Sequence, residues 1–115
     1  MNTEELEAFR KEFHALAPIL EVLASKTRQE ILIQLSYVYP EGLRIKDLKV
    51  QKCITRPTLS HHIKLLLDSH LISCKKVATK NYYHLSIKKH MFDDFNTLFH
   101  RLYSFCEEEE DATSD

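Results

Sequence analysis

The sequence predicts a mainly α domain completed by one two-stranded β-hairpin, and three observations carry that expectation. Apolar residues recur at spacings of three and four near both ends of the chain, at Leu6, Phe9, Phe13 and Leu16 and again at Phe92, Phe95, Phe99, Leu102 and Cys106. That spacing marks one face of a helix. In the middle, Thr55 and Pro57 open an apolar run with helical spacing, a cap followed by a proline in the first turn. After it, "LISCKKV" and "NYYHLSI" are rich in Ile, Val and Tyr and separated only by "ATK", which reads as two strands and a short turn.

The first stripe makes a helix that Pro18 interrupts, or whose successor Pro18 starts, and "PILEVLAS" forms a second short helix. "TRQE" at 27–30 matches a capping box, with Thr27 as N-cap and Glu30 reaching back. Ile31, Leu32 and Leu35 then supply the buried face of a third helix that ends before "YPEG". Gly42 is the only glycine in the chain, and with Pro40 just ahead of it a turn is expected there. "RIKDLKVQ" reads as a short helix with Ile45 and Leu48 inward, "KCIT" as a tight connection, and the helix after Thr55 runs to about residue 69. Beyond the hairpin, a long helix carries the last stripe, and "EEEEDATSD" at 107–115 reads as an acidic, disordered tail. Residues 1–106 are thus expected to form one domain.

A chain of 115 residues can bury a core, though a small one, and such domains gain stability by pairing with a second copy. No apolar run approaches the roughly 20 residues that span a bilayer, and the acidic N-terminus lacks a signal-peptide pattern. A cytoplasmic location is therefore expected. Cys53, Cys74 and Cys106 are odd in number and show no C-x-x-C spacing, which argues against a disulfide scaffold or a zinc cluster. The net charge of −1 conceals a strong asymmetry: eleven Lys/Arg against two acids over residues 44–90 give +9, whereas residues 1–43 carry −3 and residues 91–115 carry −7. A basic middle between acidic ends points to a polyanion partner for the middle alone.

The adjacent His61 and His62 raise three alternatives: a metal, acid–base chemistry, or contact with an outside ligand. On a helical wheel Leu59, Ile63 and Leu66 share a narrow buried arc, His61 lies almost opposite, and His62 falls at its edge. Neighbours pointing about 100° apart do not chelate one metal, and no Ser, Cys or carboxylate is placed to make either a general base. Contact with an outside ligand remains. A short helix, a tight turn and a helix exposing Thr, Ser, His and Lys describe a helix-turn-helix, whose second helix reads base edges in the major groove.

These segments resemble the ArsR/SmtB family of bacterial winged-helix repressors. "LASKTRQEIL" is similar to the family's L-A-d-p-T-R-l-x-I-L, "RPTLSHHIKLLLDSHLI" to Q-P-T-V-S-H-H-L-K-x-L-x-x-A-G-L-V, and "KKVATKNYYHL" to a wing ending in Y-Y-x-L. The resemblance implies a winged helix-turn-helix fold and a homodimer built on the first and last helices, through Leu6, Phe9, Phe13, Leu16, Phe92, Phe95, Phe99 and Leu102. It also implies binding to an imperfect palindrome in double-stranded DNA and repression until a signal, metal or thiol oxidation, releases the protein. Thr55, Arg56, Thr58, Ser60, His61 and Lys64 are the expected DNA contacts of the recognition helix, with Lys75, Lys76 and Lys80 along the phosphates.

The sequence also departs from the family pattern. Where metal-sensing members carry E-L-C-V-C-D-L, this chain has "GLRIKDL", with Arg44 and Lys46 at the two thiolate positions; cations without soft donors do not bind that metal. Of the carboxylate and imidazole pairs that other members carry on the last helix only His100 matches, and a weaker set uses His90 and Asp94. No cofactor is expected beyond such a regulatory metal ion. Cys53, next to Lys52 and the start of the recognition helix, is the candidate thiol sensor. Cys53, His70 and Ala78 stand where the family often has glycine, and residue 70 is expected to need a left-handed backbone. The expected function is a sequence-specific, dimeric DNA-binding regulator without catalytic activity. The alternative is a winged-helix protein-interaction module that does not bind DNA.

Overall fold

The computed structural model describes residues 2–113, with side chains for residues 2–106. The element order is α1 (Thr3–Leu23), α2 (Lys26–Tyr37), one 3₁₀ turn (Ile45–Asp47), α3 (Arg56–Asp68), β1 (Ile72–Val77), β2 (Lys80–Leu85) and α4 (Lys89–Thr113). No described helix is long and apolar enough to cross a membrane. The chain divides into two compact units, one containing the first part of α1 together with α4, the other spanning Pro18–Ile87.

In the first unit, α1 and α4 meet through aromatic and ionic contacts. The rings of Phe9 and Phe105 stack at 5.6 Å, Arg101 lies over the Phe9 ring, and its guanidinium pairs with Glu12 at 3.0 Å. Among the described residues of this unit, the buried side chains are Leu16 and Leu98. Leu98 lies off the stripe read from the sequence, and Phe92 and Phe99 on that stripe are exposed. The bounds of α4 run past residue 106, where the tail was expected to begin. The side chains of 107–113, and residues 114 and 115 altogether, lie outside the described residues.

The break expected at Pro18 is absent, because α1 runs through it as one helix. Proline removes one helical hydrogen bond, but Ile19, Leu20, Val22 and Leu23 are part-buried in the turns that follow and hold them in place. The cap of α2 also differs from expectation. Ser25, not Thr27, is the N-cap, and its hydroxyl accepts from the Arg28 N–H at 3.3 Å. Both residues satisfy the chemistry of a cap; Ser25 adds one half-turn of helix.

The second unit is built around α3. Ile31 and Leu35 from α2, Leu48 at the end of the 3₁₀ turn, Leu59, Ile63 and Leu66 from α3, and Leu71 and Ile72 beyond it are all buried. The short helix expected over 44–51 shrinks to the single 3₁₀ turn. The Gln34 side-chain amide explains its end: it donates to the Lys49 carbonyl at 2.7 Å and accepts from the Lys49 N–H at 2.9 Å. Those backbone groups are then lost to any longer helix.

A Schellman motif closes α3. Leu71 N–H reaches the Leu66 carbonyl at 3.1 Å and His70 N–H the Leu67 carbonyl at 3.0 Å, with His70 left-handed at φ 63°. The motif's C″ and C3 residues, Leu71 and Leu66, are both buried. The hairpin pairs Ile72 with Leu85 through Val77 with Lys80, so Ala78 and Thr79 alone make the turn, with Ala78 at φ 58°. Cys53, the third of these positions, is not among the residues with positive φ.

Candidate nucleic-acid interface

The N-terminus of α3 is fixed by Thr55, whose hydroxyl accepts from the Thr58 N–H at 3.3 Å and donates to the Thr58 hydroxyl at 3.0 Å. Pro57 sits in the first turn, where a missing N–H costs nothing. Three-residue and four-residue spacing turns Leu59, Ile63 and Leu66 inward, and the same rotation leaves Arg56, Thr58, Ser60, His61 and Lys64 exposed. The hydroxyl of Thr55 is committed to the cap, whereas Thr58 accepts from it and keeps its own proton to donate. Lys64 pairs with Asp68 across one helical turn at 2.8 Å, an exposed pair that is weak in water.

The two histidines separate as the wheel indicates. His61 is exposed and His62 half-buried. The Arg28 guanidinium lies 2.9 Å from His62 Nδ1 and donates also to the carbonyls of Val22 at 2.7 Å and Glu21 at 3.2 Å. Burial first, then the charge of Arg28 and the neighbouring His61, hold the His62 ring below the usual histidine range. His62 therefore belongs to the framework and His61 to the outer face.

On the hairpin Lys75, Lys76 and Lys80 are all exposed, but strand alternation divides them. Lys75 pairs with Tyr82 and Lys76 with Asn81, so these neighbours leave opposite faces of the ribbon. Lys80, at the tip, lines a cleft shared with Arg56, Arg44 and Lys46. Sequence reasoning counted Arg44 and Lys46 in the basic middle and as charges unfit for a metal, but not as neighbours of the wing; that proximity depends on a bridge between Leu43 and Tyr83 that no local pattern announces. Arg28 was missed for the same reason.

The other sequence candidates stay apart. Cys53 is exposed, with its thiol 3.7 Å from the Gln51 side-chain oxygen, and Cys74 and Cys106 are also exposed and unbridged. His90, Asp94 and His100 lie on α4 and are exposed. Among the described residues no three His, Cys, Asp or Glu side chains converge as a metal site would require.

No family model matches the chain. Over 83 residues it is 37% identical to the arsenical resistance operon repressor of Staphylococcus xylosus, covering 72% of this chain and 74% of that protein. Over 74 residues it is 36% identical to the protein of the same name from Staphylococcus aureus, covering 64% and 68%. Among solved structures, NolR from Sinorhizobium fredii matches with a TM-score of 0.60 at 21% identity, over 93% of this chain and 92% of that one; a likeness at that identity speaks for the fold. With more than a third of the matched residues identical over about three quarters of the Staphylococcus xylosus repressor, the chain belongs to the ArsR family of winged-helix, DNA-binding transcriptional repressors.

Proposed function

We propose that the protein binds double-stranded DNA as a homodimer at an imperfect palindrome, with α3 in the major groove, and represses transcription until a signal releases it. One observation carries this reading: the side of α3 turned away from its apolar packing, Thr58, Ser60, His61 and Lys64, is open to solvent. Ser, Thr and His suit base edges, and Arg56 and Lys64 suit bases and phosphates alike. The exposed aromatics Phe92 and Phe99 on α4 support a second copy as their cover, together with the stripe at Leu6 and Phe13 on α1. A two-fold dimer presents its recognition helices to successive major grooves, roughly 34–36 Å apart. The cytoplasm, where the DNA lies, is the location this reading requires. Cys53, exposed beside the start of α3, is its site for oxidation.

The test is selection of bound duplexes from a random pool, repeated with zinc, nickel and peroxide. Two inverted half-sites, lost under one of those additions, are expected. A pool that emerges without any preferred sequence overturns the reading.

A further inference from the structure

Four cations from three parts of the fold border one cleft of about 360 Å³: Arg44 and Lys46 around the 3₁₀ turn, Arg56 at the start of α3, and Lys80 at the tip of the hairpin. Asn81 and Tyr83 add neutral polar groups to its wall, and among the described residues no carboxylate lines it. Among the described residues the ion pairs are Glu7–Arg10, Asp68–Lys64 and Glu12–Arg101, so none of these four cations has an anionic partner. Like charges gathered without a counter-charge repel one another, and an anion between them removes that repulsion.

The gathering is built into the backbone. Leu43 and Tyr83 exchange two hydrogen bonds, at 2.9 and 2.8 Å, which tie the segment bearing Arg44 and Lys46 to β2. The approach is close enough that a Cβ on Gly42, at φ +83°, would lie 2.2 Å from the Tyr83 carbonyl oxygen. The one glycine of the chain thus stands where the 3₁₀ segment is stapled to the wing. Cations held by such a staple need little ordering when a ligand arrives.

We infer that this cleft binds a phosphate group, with Arg44 and Arg56 presenting guanidinium forks, Lys46 and Lys80 ammonium groups, and Asn81 and Tyr83 neutral donors. Guanidinium groups match the oxygens of phosphate two at a time, and lysine adds charge with less directional demand. Burial, then the neighbouring Cys74, push the Tyr83 phenol further up from a value that already leaves it protonated at neutral pH. The phosphate belongs either to the backbone of a bound duplex, a case that rests on the function proposed above, or to a free phosphate.

The experiment uses the full chain, the double variant Arg44→Gln/Lys46→Gln, the single variant Lys80→Gln as a second probe from the opposite wall, and Ser60→Ala/His61→Ala as a reference. Duplex affinity is measured against salt, and melting is followed in inorganic phosphate and in chloride at equal ionic strength. If the source is the duplex, the cleft variants lower the slope of log affinity against log salt by about 0.9, one phosphate contact, on specific and random duplexes alike. If the source is free phosphate, inorganic phosphate raises the wild-type melting temperature and leaves the cleft variants unmoved. A salt slope unchanged in both cleft variants, with melting indifferent to phosphate in every protein, overturns the inference. In that event a loss of sequence preference in the Ser60/His61 variant leaves the DNA reading standing. Protection by phosphate in a protein that binds no duplex sinks the DNA reading and keeps the cleft.

Discussion

The Arg28 guanidinium lies 2.9 Å from Nδ1 of His62, and this one contact separates two adjacent histidines into different trades. Arg28 cannot give up its charge, so the ring nitrogen facing it must be the acceptor, with the proton on Nε2. The same guanidinium closes the end of α1 through the carbonyls of Val22 and Glu21, the second of which also accepts from the Ala24 N–H; carbonyls in a last turn lack the usual helical partner. Through Arg28, α2 thereby ties the last turn of α1 to the inner edge of α3. His61, one position earlier, takes no part and stays available outside.

A pH dependence follows from that geometry. The folded pKa of His62 lies below its ordinary 6.5, so above that value the contact with Arg28 is fully present. As pH falls below it, the unfolded chain takes up a proton that the folded ring resists, and stability is lost until the folded value is passed. His62→Asn keeps an acceptor near the position of Nδ1 and does not titrate. Thermal melts between about pH 7 and pH 5 should therefore fall less steeply for His62→Asn than for the wild type. Parallel profiles would remove His62 as the source.

Gly42→Ala should be among the most damaging small substitutions in the chain. A left-handed φ costs a Cβ-bearing residue about 1–2 kcal/mol, and the added methyl would meet the Tyr83 carbonyl at 2.2 Å, backbone that cannot swing aside. A destabilisation of more than about 2 kcal/mol is expected in denaturant titration, from the left-handed cost and the clash together. A loss within about 0.5 kcal/mol, the range of an ordinary surface change, would mean that the Leu43–Tyr83 bridge is dispensable.

The opposite sign is expected at His70 and Ala78, which hold φ of 63° and 58° with side chains exposed to solvent. Glycine removes the strain of the left-handed region, and only part of that gain returns as extra freedom of the unfolded chain. His70→Gly and Ala78→Gly should each stabilise by about 0.5–1 kcal/mol, and by the sum of the two when combined, since the C-cap and the hairpin turn share no partner. Denaturation midpoints would check both the sign and the additivity.

Why α3 was legible and its surroundings were not has a physical reason. Thr55, Pro57, Leu59, Ile63 and Leu66 act through neighbours three or four residues away, so their order in the chain already states the cap, the start and the buried face. The hairpin was legible through its composition and short turn. At the start of α2 the capping-box pattern favoured Thr27, whereas Ser25, two positions earlier, is the cap; the pattern cannot tell that the helix gains a half-turn before it. Leu98 was overlooked because the aromatic stripe on α4 carries a stronger periodic signal than the residue that is buried. Arg28–His62 and Leu43–Tyr83 join residues far apart in sequence, and they fix which charges meet. Arg44 and Lys46 were thus legible as cations, whereas the cleft they help to line was not.

The division between reading and holding DNA gives the last prediction. His61 sits on the open face of α3, clear of the buried arc, and Lys76 sits on the hairpin, a lysine without a described carboxylate partner. Losing a group that reads a base edge weakens the preferred site by about 1–3 kcal/mol and leaves random duplex nearly untouched. Losing a cation that touches phosphate weakens every duplex alike and lowers the salt slope by about one. His61→Ala should therefore lower the ratio of specific to random affinity, and Lys76→Ala should preserve that ratio while both affinities fall. Competition titrations at two salt concentrations separate the cases. Equal losses on both duplexes for both variants would mean that His61 reads nothing, and that the positive charge of the middle segment alone draws the protein to DNA.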